Sequence, residues 1–158
     1  MRAIEERLAD LEKEVSALKD KDSIRTLLSQ YAVAVDGKDR VSLGELFTDN
    51  SAVQIPAWEV DVSGKEAVLV FYDTYWARFD NPRRYFANES FLVGKASAQA
   101  FMYWHVTQDS NGESYLGWGT YKWSFSRVGA DWKISAVEIN ILAMTTLVAG
   151  WAGESKFV

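Results

Sequence analysis

Apolar residues recur along the first eighteen positions at spacings of four and three, namely Ile4, Leu8, Leu11, Val15 and Leu18. Glu, Lys and Asp fill most positions between them, which predicts an amphipathic helix over residues 1–19. Such a stripe packs on its own domain or pairs with another subunit. A second helix is expected from Ser23 to Val35, with Ile24, Leu27, Leu28, Tyr31 and Val35 inward and Gly37 as its stop. A third, short helix near Val41–Phe47 buries Leu43, Leu46 and Phe47. Ser51–Ile55 then reads as a strand ended by Pro56. Ser63 and Glu66 have capping-box spacing ahead of an apolar run, predicting a fourth helix to about Phe79.

After Pro82 the period changes from helical to alternating. Tyr85–Val93, Ala98–Gln108, Ser114–Arg127 and Asp131–Thr146 are rich in aromatic and β-branched residues. Gly94-Lys95, Asp109–Gly112 and Val128–Ala130 supply hairpin turns, so the second half reads as a four-strand antiparallel meander. A long twisted sheet of this kind curls around helices packed on one face and closes a cone. The expectation is one α+β domain over 1–158, with residues 150–158 as a loose tail or a cover for the pocket mouth.

Composition adds three exclusions and one suggestion. The net charge is −5 with no cationic run, which argues against nucleic acid. There is no cysteine, which removes disulfides and thiolate chemistry. No apolar segment reads as a signal or a membrane span, so a cytoplasmic protein without a membrane partner is expected. The seven tryptophans and 14% aromatic content suit both a core and a pocket for a small hydrophobic organic molecule.

Several stretches carry a family likeness: Leu8–Glu14, Ile24–Tyr31, Val35–Asp39, Arg84-Tyr85-Phe86, Tyr103–Val106 and Asp131–Ile134. Through them the chain resembles the SnoaL-like branch of the nuclear transport factor two superfamily, with its cone of curved sheet and helices. It resembles bile-acid dehydratase around Tyr31 and Asp36 and, more distantly, scytalone dehydratase and the lindane dehydrochlorinase. The resemblance implies a cofactor-independent lyase or isomerase without a metal, in which a His takes a proton, an Asp orients it and Tyr hydroxyls polarise a carbonyl. Tyr31 and Asp36 match that pattern. The family's His position is occupied by Tyr85, or by Arg84 if the alignment slips by one. Ile55 and Val106 stand where the dehydratases place further polar groups.

These matches nominate Asp36 as proton-transfer base and Tyr31 and Tyr85 as oxyanion donors. An unperturbed phenol titrates near pH 10, so Tyr85 serves as a donor rather than a base. Ile55, Trp58, Tyr75, Met102, Trp104, Val106 and Trp118 are the expected pocket walls. Alternation sets Ala98, Ala100, Met102, Trp104 and Val106 on one strand face, which the likeness directs to the pocket. Phe101, Tyr103 and His105, the only histidine, then share the outer face. Asp39, Asp49 and Asp61 read as turn or cap residues. The expected activity is a dehydratase-like reaction on a cyclic, polyketide- or steroid-like molecule, in a homodimer or larger homo-oligomer. A non-catalytic binding pocket is the alternative, and an epoxide hydrolase or polyketide cyclase a further one.

Overall fold

The computed structural model describes residues 4–150. The expected C-terminal cover therefore lies outside the described residues, apart from Gly150. The two helices expected over 1–19 and Ser23–Val35 are one continuous helix, α1 (Ile4–Asp36). No glycine or proline interrupts residues 19–23, so the hydrogen-bond ladder runs through. Helix α2 (Arg40–Leu46) follows, with Asp39 as its N-cap accepting the Ser42 amide. Helix α3 spans Lys65–Arg78. Its N-cap is Gly64 and no side chain caps it, so Ser63 and Glu66 form no capping box. Ser63 instead ends a short strand that the sequence reading did not anticipate.

The strands are β1 (Phe47–Ile55), β2 (Val60–Ser63), β3 (Asp80–Val93), β4 (Ser97–Ser110), β5 (Glu113–Val128) and β6 (Asp131–Thr146). They form one sheet of order β2-β1-β6-β5-β4-β3, in which β1 runs parallel to β6 and every other pairing is antiparallel. The expected four-strand meander is present, and β1 with β2 extends it. Pro82 lies within β3, which is tolerable because β3 is an edge strand with one side free of partners. Alternation on β4 is strict: Ala98, Ala100, Met102, Trp104, Val106 and Gln108 are buried, and the residues between them through Thr107 are exposed. The inner sheet face and the helices share a core that includes Trp123, Tyr31, Phe47, Leu43 and Ile134. No described helix is long and apolar enough to cross a membrane.

The end of α1 is fixed to α3. The Trp76 indole N–H donates to the Val35 carbonyl at 2.8 Å, and Lys38 Nζ donates to the Trp76 carbonyl at 2.9 Å. Gly37 donates to Val33 O, while the left-handed turn residue is Lys38, at φ 55°. Gly37 is needed for another reason: a Cβ there would sit 3.0 Å from Val33 O. This clamp fixes the end of α1, and with it Asp36.

Candidate functional site

A cavity opens between α1, α3 and the inner face of β4, β5 and β6. Its walls include Tyr31, Tyr72, Tyr75, Arg84, Gln108 and Tyr121 among apolar neighbours. It measures about 440 Å³, open solvent at its mouth included.

Arg84 is the centre of the polar network. Its side chain is only 7% exposed, and Nε donates to Asp36 Oδ1 at 2.6 Å. The Arg84 backbone N–H takes the other carboxylate oxygen, Oδ2, at 2.9 Å. On its far side Nη2 donates to the Tyr75 hydroxyl at 3.2 Å, and Tyr75 donates to Gln108 Oε1 at 2.6 Å. The guanidinium carbon lies 5.9 Å from the Tyr31 ring centre and 5.7 Å from that of Tyr75, close enough for cation–π attraction. A second cluster adjoins it. The Tyr31 and Tyr72 hydroxyls are 2.8 Å apart, and the Tyr121 hydroxyl is within hydrogen-bonding reach of Tyr31.

The nominated residues divide. Tyr31 and Asp36 meet through Arg84, which bridges the angle that separates them on the helix. Ile55, Trp58, Tyr75, Trp104 and Val106 line the cavity. Tyr85 does not: it is 65% exposed, on the outer sheet face. The reason is register, because Tyr85 pairs with outward His105 while Arg84 pairs with inward Val106. Met102 is 1% exposed but packed in the core below the cavity. Trp118 pairs across with His105 and shares its outer face, so neither Met102 nor Trp118 is a wall. Asp36 is not a lone carboxylate among apolar groups, since both its oxygens are occupied by Arg84.

Tyr72, Gln108 and Tyr121 were missed. Gln108 continues the β4 alternation two residues beyond Val106, and Arg84 shares the inner face of β3 with Phe86. Both were recoverable by extending period two to polar residues. Tyr121 follows the same rule on β5, between buried Gly119 and Trp123.

Burial pushes the phenols of Tyr31, Tyr72, Tyr75 and Tyr121 above their ordinary range. At neutral pH they are donors and acceptors of hydrogen bonds, not bases. The shift has a consequence for stability. Unfolded tyrosine loses its proton near pH 10 while the folded phenols keep theirs, so stability is intact below pH 10. Above it, each buried tyrosine should remove about 1.4 kcal/mol per pH unit until its folded pKa is reached. Denaturant titrations from pH 7 to 11 should show a plateau and then a steep fall. A curve flat to pH 11 would contradict the burial of these hydroxyls.

The profile of one family matches residues 16–138, most of the chain. The chain belongs to the SnoaL-like domain family. Its fold is similar to that of a hexachlorocyclohexane dehydrochlorinase, LinA type 2, with TM-score 0.79 and 17% identity over 92% of this chain and 97% of that one. It is also similar to a Novosphingobium aromaticivorans structure assigned as a scytalone dehydratase, with TM-score 0.76, 17% identity, and 84% and 90% of the two chains covered. A cystatin-like, NTF2-like protein of the same organism gives TM-score 0.70 and 20% identity, covering 90% of this chain and 92% of that one. No curated protein sequence matches the chain. At these identities the likeness carries the cone fold and not a reaction.

Proposed function

We propose that this SnoaL-like protein is a cofactor-independent lyase or isomerase acting on a small, mostly apolar cyclic molecule that carries a carbonyl or enolisable oxygen. The observation that carries the proposal is the imbalance of hydrogen-bonding groups around the cavity. Donors dominate: two of the five N–H groups of Arg84 are engaged, and the remainder have no protein acceptor among the described residues. The indole N–H groups of Trp58 and Trp104 are also unpartnered. The acceptors are occupied, Asp36 by Arg84 and Gln108 by Tyr75. A ligand oxygen that gains negative charge is what such a surface favours, and apolar walls strengthen the attraction.

In a dehydration, the substrate carbonyl would take a guanidinium position and loosen the Asp36 contact. Asp36 would then accept the proton from the adjacent carbon as the oxyanion forms on Arg84 and the Tyr31–Tyr72 pair. Collapse of the enolate breaks the carbon–oxygen bond, and the departing hydroxide recovers the proton as water. A second reading, a binding pocket without turnover, is favoured by two observations: no imidazole lines the cavity, and its adjoining carboxylate is already paired.

Asp36→Asn separates the two. The substitution leaves Arg84 with an uncompensated charge, so affinity for small cyclic carboxylates and phenolates should rise about tenfold by calorimetry, about 1.4 kcal/mol. Cyclic β-hydroxy ketones give a conjugated enone on dehydration, which ultraviolet absorbance follows. The lyase reading expects wild-type turnover of a member of that series and its loss in Asp36→Asn. Tight binding with no turnover of any member would leave the binding reading alone.

A further inference from the structure

Residues 4–19 of α1 are exposed throughout among the described residues, and Asp20 anchors the helix, pairing with Arg127 and accepting from Trp132. At 1.5 Å per residue, these exposed residues make roughly 24 Å of helix. The described residues leave its apolar stripe exposed: Ile4 is 83% exposed, Leu8 55%, Leu11 57%, Val15 47% and Leu18 66%. At 100° per residue this stripe centres about 180° around the helix from the Ile24, Leu27, Leu28, Tyr31 and Val35 face that enters the core. One helix thus has two apolar faces on opposite sides, one spent on its own core and one left over.

We propose that the leftover face pairs with the same segment of a second copy as a short parallel coiled coil. The spacing makes Leu8 and Val15 a positions and Ile4, Leu11 and Leu18 d positions, the 3.5-residue repeat that keeps a seam facing its partner. Charge selects the occupant and its direction. The g positions carry Arg7 and Glu14, and the e positions that a parallel partner sets against them carry Glu12 and Lys19. Both cross-pairs are attractive, and two-fold symmetry forms each twice. An antiparallel partner sets e against e, which brings Glu12 against Glu5 or against another Glu12. The stripe lies opposite the core face of α1, so a partner helix seated on it approaches from the side away from the buried residues.

The test uses the full chain, whose lack of cysteine makes disulfide trapping clean. Leu11→Cys should form an interchain disulfide under mild oxidation, and Lys13→Cys, on the outer f position, should not. Sedimentation velocity should show a dimer that Leu11→Glu dissociates at least tenfold more readily, with an unchanged circular dichroism spectrum because Leu11 supports no core. Glu12→Arg should weaken the dimer and Arg7→Glu/Glu12→Arg should restore it. Three outcomes would overturn the proposal: a wild-type monomer at high micromolar concentration, a dimer indifferent to Leu11→Glu, or equal trapping at positions 11 and 13. The second of these would place self-association on another surface, such as the outer sheet face around Tyr85 and Tyr103.

Discussion

Arg84→Met should destabilise the protein by about 3–5 kcal/mol, because it leaves the part-buried Asp36 carboxylate without its cation. Asp36 is 13% exposed on its side chain and depends on Arg84 for both polar contacts, although its backbone contact survives the substitution. The same change removes the donor of the Tyr75 hydrogen bond, leaving Tyr75 bound only to Gln108. Function should fail with it, since the guanidinium is the single fixed positive charge among the cavity walls. The informative companion is Arg84→Met/Asp36→Leu. Replacing both partners removes the uncompensated charge, so the double variant should recover most of the lost stability while remaining unable to bind carboxylates or phenolates. Chemical denaturation of these two, Asp36→Leu and the wild type measures the coupling. If the single variant loses less than about 1 kcal/mol, the pair is solvated and the cavity does not have the polarity assigned to it.

The contrast between Arg84 and Tyr85 shows where sequence reasoning stopped. The cone was legible because it rests on periods: 3.6 in the helices, two in β3–β6, and glycines or Asn-Gly at the turns. The site rests on register, and a one-residue slip moves every side chain to the other face. The resemblance puts Tyr85 at the family's His position, or Arg84 if the alignment slips by one, and Phe86 on the inner face decides for Arg84. The end of α1 marks Asp36 as a candidate, but its partner is 48 residues away and is reached only through the register of β3. The split of α1 at residue 19 had a different cause. Its apolar stripe changes sides between Leu18 and Ile24, which reads as two helices when continuity of the backbone is not weighed separately from the direction of burial.

The shape of the cavity depends on two glycines that present no side chain to it. Gly117 and Gly119 lie on the buried face of β5, beneath Met144 and Trp104. Beside them β6 carries an extra residue: Trp118 pairs with Ala143 and Gly119 with Ile141, leaving Leu142 bulged outward and 56% exposed. The bulge draws the β6 backbone over Gly119, so a Cβ there would stand 1.8 Å from the Asn140 carbonyl oxygen and 3.0 Å from Trp104 Cε2. Neither the carbonyl of a paired strand nor a buried indole moves without opening the sheet. Gly119→Ala should therefore cost about 3 kcal/mol or more, a large value for one methyl group. At Gly117 the nearest atoms are Met144 Cε and Sδ, both at 2.8 Å, the far end of a flexible side chain. Gly117→Ala should swing Met144 across the cavity for about 1 kcal/mol, lowering ligand affinity while the fold persists. Thermal melts and ligand titrations of the two variants measure both halves. Equal stability losses would mean that the bulge, and with it the packing of Trp104 over β5, is not what shapes the cavity.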